Sequence, residues 1–229
     1  DNIYIGTDAG ENVTTANRCL FIGRSAGGNV TTSGEFNIII GSGACSLYNP
    51  GNHNTFIGGG ANAKAAIAET VGIGQNALAG VSGNSNTALG YSAGNATNSG
   101  AELTVVGHAA LRTVTGSYNT AIGKGVMGDG AGSGGYNTGV GNRALQAITN
   151  GGYNVAVGKS ALQLINTESM NAAVGYQAGY AINSNYNTLL GAKAGEKATG
   201  GEGYNVIIGY NAASGDSETP FSGDYNTIV

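Results

Sequence analysis

Apolar positions return along this chain at a fixed phase, set by a recurring glycine. The clearest copy is Tyr118-Asn119-Thr120-Ala121-Ile122-Gly123, and its glycine recurs at Gly6, Gly23, Gly41, Gly58, Gly74, Gly90, Gly107, Gly141, Gly158, Gly175, Gly191 and Gly209. Successive glycines lie 16 to 18 residues apart. Repetition at a short fixed period is the mark of a solenoid or array. Since the pattern runs unchanged from Asp1-Asn2 to Ile228-Val229, we read residues 1–229 as a single repeat domain cut from a longer array.

With the glycine as position zero, position −1 is aliphatic in every copy, as at Ile5, Ile122, Val157 and Val174. Position −3 is mostly β-branched, from Ile3 and Leu20 through Thr120 and Val155 to Val206. Alternation at period two marks a strand, so each repeat is expected to supply one strand of about five residues, ended by a glycine turn. The uniform −1 column is taken as the core, with −3 on the same face. Position −2 (Tyr4, Phe21, Ile39, Phe56, Val105, Leu189, with Ala or Gly between) then forms the opposite, outward face. A strand apolar on both faces needs cover on both, so the −2 stripe is the surface expected to meet another chain.

Asparagine fills position −4 in 11 of 14 copies, including Asn119, Asn154 and Asn171, which predicts a ladder of stacked amides bonding turn backbone. Position +3 is nearly always Ala, implying close backbone approach, and an aliphatic often stands at +7. Variable Gly/Asn/Ser/Thr-rich loops, such as residues 128–135, take up the length differences. The Ala-rich stretch 61–70 suggests a helix by propensity alone, but it falls in register with the repeat and is read as coil. The fold expected is therefore all-β: a parallel β-roll of about 13 to 14 short coils, elongated, some 60 Å long at ~4.8 Å per strand.

Composition narrows the function. Glycine at 43 of 229 residues would suggest disorder were it not periodic. The net charge of −4 has no basic cluster, so no nucleic-acid partner is expected. No apolar run reaches the ~20 residues of a membrane helix, so no membrane insertion of this segment is expected. Cys19 and Cys45 occupy different repeat positions and are read as free, small core residues.

Motifs that resemble chemistry dissolve into the frame. Gly23-Arg24-Ser25-Ala26-Gly27 and Gly90-Tyr91-Ser92-Ala93-Gly94 match the nucleophile elbow, but the same positions elsewhere carry Gln177 and Lys193. Gly123-Lys124-Gly125-Val126-Met127-Gly128 matches a dinucleotide fingerprint with a glycine loop where a helix should follow. Val157-Gly158-Lys159-Ser160 ends like a Walker loop but has Tyr153 where the upstream glycine belongs. His53 and His108 sit at different repeat positions, so no dyad or metal cluster is indicated. No catalytic residue, cofactor or metal is expected, and the chain is read as not an enzyme.

The unit N-[T/V/I]-x-[I/V/L]-G-x-x-A, seen at 119–126, 154–161 and 171–178, resembles the head repeats of YadA-like trimeric autotransporter adhesins. It resembles still more closely the shaft repeats of bacteriophage tail fibres. The resemblance covers essentially the whole chain and implies a left-handed β-solenoid, a homotrimer with chains side by side or intertwined, and a role in host attachment. The location it implies is the virion tail fibre, or alternatively the bacterial cell surface as an adhesin head. A further alternative, an ice-binding solenoid, is disfavoured because the Thr column alternates with Ile, Val and Leu and shares its face with the core aliphatics. A host glycan or receptor would be met by the loops or by the aromatic stripe before the Asn ladder: Tyr118, Tyr136, Tyr153, Tyr186, Tyr204 and Tyr225. That stripe has two readings, a sugar-stacking row or an aromatic ladder sealing the roll or the chain interface.

Overall fold

A computed structural model describes residues 1–30, 34–47, 49–62, 67–95, 100–198, 203–215 and 223–229. It contains two compact units, residues 1–112 and 113–229, each built from the same coil. The first holds β1 (Ile3–Ile5), β2 (Leu20–Ile22), β3 (Ile38–Ile40), β4 (Thr55–Ile57), β5 (Val71–Ile73), β6 (Thr87–Leu89) and β7 (Thr104–Val106). The second holds β8 (Thr120–Ile122), β9 (Thr138–Val140), β10 (Val155–Val157), β11 (Ala172–Val174), β12 (Thr188–Leu190), β13 (Val206–Ile208) and β14 (Thr227–Ile228). Within each unit every strand pairs in parallel with the next one in sequence, without slippage, as in Ile3↔Leu20 and Thr120↔Thr138. The chain is thus all-β, a parallel β-solenoid, with no helix among the described residues. That includes the described part of 61–70; residues 63–66 lie outside the described residues. Strands are three residues long, and two in β14, shorter than the five expected, because the amide corner claims the residues before each one.

The two faces of the strand are the reverse of the sequence expectation. The middle residue of the strand is the core: Phe21, Ile39, Phe56, Ala88 and Val105 in the first unit, and Ala121, Ala156, Ala173 and Ile207 in the second, are fully buried. The −1 residues face outward, with Ile122 38%, Val157 37% and Val174 41% exposed. The reason lies in the far wall. The +4 residues Leu78, Met127, Leu145 and Leu162 are also fully buried and accompany small −2 residues, Gly72, Ala121, Gly139 and Ala156, while Leu111 is buried together with Val105. Beside Phe21 and Leu189 at −2 the +4 residue is glycine: a Cβ on Gly27 would meet the Phe21 ring, and one on Gly195 would meet Leu189. At Gly139 an added Cβ would lie 2.6 Å from a Val126 methyl group and 3.3 Å from Met127 of the preceding coil, and in ordinary contact with Leu145 at 3.5 Å. Ala26, Ala77, Ala144 and Ala161 at +3 are fully buried as expected. Val30, Val81, Ile148 and Ile165 at +7 complete the interior.

The coil turns at four positions of positive φ. The strand-ending glycine has φ between 123° and 138°, and a Cβ on Gly123 would lie 2.8 Å from the carbonyl oxygen of Gly141 in the next coil. Only glycine fits there. The −5, +2 and +4 positions are left-handed too, and most carry side chains, such as Tyr118 (φ 62°), Arg143 (φ 60°) and Leu145 (φ 52°). Their amides bond the neighbouring coil, as Tyr136 N to Ser117 O (3.1 Å) and Leu145 N to Ala161 O (3.1 Å). The same corner explains the elbow-like serines: Ser25 (φ 55°) and Ser92 (φ 51°) share their conformation with Asn76 and Gln177 at +2. Their strained backbone belongs to the coil.

Candidate interaction surfaces

The asparagines form the ladder the sequence implied. In the second unit the Oδ1 of Asn119 accepts from Asn137 N (2.9 Å), Asn137 Oδ1 from Asn154 N (3.0 Å), Asn154 Oδ1 from Asn171 N (3.0 Å) and Asn171 Oδ1 from Asn187 N (2.9 Å). Each amide nitrogen donates sideways into its own loop or the next, as Asn154 Nδ2 to Glu168 O (2.9 Å) and Asn171 Nδ2 to Ser184 O (3.1 Å). These side chains are buried, so they are scaffold for the surfaces and not part of them. In the first unit two other residues stand in. Asn37 N bonds Cys19 Sγ (3.4 Å) and Asn86 N bonds Thr70 Oγ1 (3.3 Å). Cys19 and Cys45 are both free and buried, and Cys19 is a rung of the ladder as well as filler.

Among the described residues two repeated surfaces are left. The first is the outer face of the strands in each unit, made of positions −3 and −1. In the second unit it presents Thr120, Ile122, Thr138, Val140, Val155 and Val157, and it continues through Val174, Leu190 and Ile208. None of its residues is charged, and Val155, Val157, Val174 and Leu190 are 37 to 47% exposed. In the first unit Ile3, Ile5, Ile38 and Leu89 are exposed in the same columns. The stripe expected to meet another chain was placed on −2; since −2 is the core, it is the −1/−3 face that is open. The Thr column also faces outward, which removes one of the two grounds for disfavouring an ice-binding surface. The other stands, because the column begins with Ile3, Leu20 and Ile38 and is interrupted at Val71, Val155, Ala172 and Val206.

The second surface is position −5. In the second unit Tyr118, Tyr136 and Tyr153 stack face to face with centroids 4.6 and 4.8 Å apart, and Tyr186, Tyr204 and Tyr225 do so at 4.6 and 4.9 Å. Met170 stands between the two runs. All six tyrosines are exposed, from 41% at Tyr204 to 71% at Tyr225. The ladder therefore does not seal the roll. Nor do its faces await a sugar ring, because interplanar angles of 3° to 13° turn each face onto its neighbour. Ring edges and hydroxyls point outward instead. Beside Tyr118, Tyr136 and Tyr153 runs an open groove of about 410 Å³ lined by Ser117, Ser133, Asn150 and Ser169. The corresponding corner of the first unit is mixed: Arg18 over Phe36 (5.1 Å), Phe36 stacked on His53 (5.0 Å), then Glu69, Ser85 and Glu102.

Among the described residues no three His, Cys, Asp or Glu side chains group as metal ligands. His53 and His108 each stack on an aromatic one coil away, Phe36 and Tyr91. Among the described residues no helix is long and apolar enough to cross a membrane. No family model, curated protein or solved structure matches the chain.

Proposed function

We propose that this chain is a structural and adhesive segment of a homotrimeric fibre, a bacteriophage tail fibre acting in host attachment. The observation that carries the proposal is the outer sheet face: an uncharged array of Ile, Val, Leu and Thr, open on strand after strand. An aliphatic surface repeated at strand spacing is covered best by another surface of the same period, and a second copy of the chain has that period by construction. The number three comes from the resemblance of the repeat to trimeric fibre proteins. A fibre segment needs stiffness and resistance to unfolding, and the in-register sheets and the amide ladder supply both.

Native mass measurement tests this. A trimer is expected, and replacing Val157 and Val174 by Lys should yield monomer with an unchanged far-ultraviolet spectrum, since both side chains lie outside the core. A wild-type monomer at micromolar concentration would sink the proposal.

The outward threonines favour a second reading, an ice-binding face. It predicts thermal hysteresis that disappears in Thr120→Lys/Thr138→Lys, and absence of hysteresis in the unsubstituted chain would dismiss it.

A further inference from the structure

We infer that the tyrosine ladder of the second unit, with the hydroxyl-lined groove beside it, is a binding site for a neutral, extended polyhydroxyl chain lying along the direction in which the coils stack. The inference deepens the fibre reading, on which it rests for its biological setting. The observation that starts it is a contrast between the two units.

Position −5 is left-handed in both, with φ between 56° and 62° whether the residue is Arg18, Glu69, Ser85, Tyr136 or Tyr204. The coil thus accepts Arg, Phe, His, Glu and Ser at this corner. Its backbone does not demand an aromatic, and a left-handed corner suits Asn or Gly better than a bulky residue. Yet six of the seven second-unit corners are tyrosine. Stacking between coils accounts for an aromatic here, but Phe36 at the same corner shows that it does not require a hydroxyl, and the exposed position of the rings puts the reason for tyrosine on the surface.

The geometry then selects the ligand. Mutual stacking occupies the ring faces, so recognition falls to what remains outward: phenol hydroxyls, which donate and accept, and ring edges. These recur every 4.6 to 4.9 Å within each run of three. The groove adds the Asn150 amide and the Ser133 and Ser169 oxygens; Ser133 Oγ already donates to Asn150 Oδ1 (3.3 Å) and Ser169 Oγ to Thr167 O (3.4 Å), so both serines meet a ligand as acceptors, and no charged side chain lines the groove. An anionic polymer would find no cation there and a cationic one no carboxylate. A chain of neutral sugars offers hydroxyls at many points along its length, and weak contacts repeated on successive rungs add up by multivalency. The first unit, with Arg18, Glu69 and Glu102 at the same corner, lacks this surface.

Calorimetric titration of the intact protein with the extended neutral probes cellohexaose and mannohexaose is the test. Hyaluronan hexasaccharide serves as a charged probe of equal length and glucose as a single unit. Saturable binding of at least one neutral hexasaccharide is expected, with the charged probe and glucose at least tenfold weaker. The triple variant Tyr118→Phe/Tyr136→Phe/Tyr153→Phe keeps the stacked rings, and Phe36 shows that the corner accepts phenylalanine. It should bind about tenfold more weakly, since the hydroxyl hydrogen bonds are lost. No saturable binding by either neutral probe, equal binding of the charged probe, or undiminished binding by the triple variant would each overturn the inference. Native mass recorded on the same samples separates the two readings. A monomer that binds overturns the trimer and leaves the site, whereas a trimer that does not bind overturns the site alone.

Discussion

At the scale of single residues, the buried asparagine is the most demanding position in the coil. Asn154 accepts from the Asn171 amide in a buried bond and donates to the Glu168 carbonyl in a partly buried one. Replacing it with leucine strands one donor and one acceptor, at about 1 to 3 kcal/mol each, and thermal unfolding should show a loss of several degrees. Thr70 occupies the same rung in the first unit and still offers an oxygen to the next amide. Asn154→Thr should therefore fall by clearly less than Asn154→Leu. Equal losses would show that the Oδ1 acceptor contributes little and that side-chain volume governs the rung.

At the scale of the strand, the two faces respond differently to the same substitution. Ala156 is fully buried while its neighbour Val157 is 37% exposed. Ala156→Asn forces an amide into a filled interior, against Leu162 across the coil, at a cost of about 2 kcal/mol or more. Val157→Asn should leave the fold of a single chain nearly untouched and weaken association instead. Chemical denaturation of each variant, run beside its native mass, distinguishes the outcomes, and an interchange of the two effects would mean that the faces are reversed. A compensating pair follows from the packing of one coil on the next. Gly139→Ala should destabilise alone, since its Cβ would lie 2.6 Å from a Val126 methyl group, and Val126→Ala, which gives +3 the alanine most coils carry there, should recover part of that loss.

At the scale of the whole molecule, association through an uncharged face should be indifferent to salt. Raising ionic strength from ~0.05 M to ~1 M shortens the screening length several-fold, which weakens ion pairs and leaves apolar burial intact or stronger. Sedimentation at the two salt concentrations should give the same trimer; dissociation at high salt would point to a charged interface elsewhere on the surface. The sequence alone determined the period, the strand positions, the parallel in-register pairing and the asparagine ladder, because each depends on one residue type recurring at one phase. It also marked the tyrosine column. It did not determine which strand face is inside, because both are apolar and the larger, more uniform residues at −1 look like a core. That question is decided across the coil, where Leu78, Leu145 and Leu162 at +4 fill the space above Gly72, Gly139 and Ala156. The pairing of a small −2 with Leu at +4 in these three coils is visible in the sequence, but only knowledge that the two positions face each other gives it meaning. The orientation of the tyrosine rings was likewise out of reach, since a column of aromatics fixes neither whether faces or edges meet the solvent nor how closely successive rings stack.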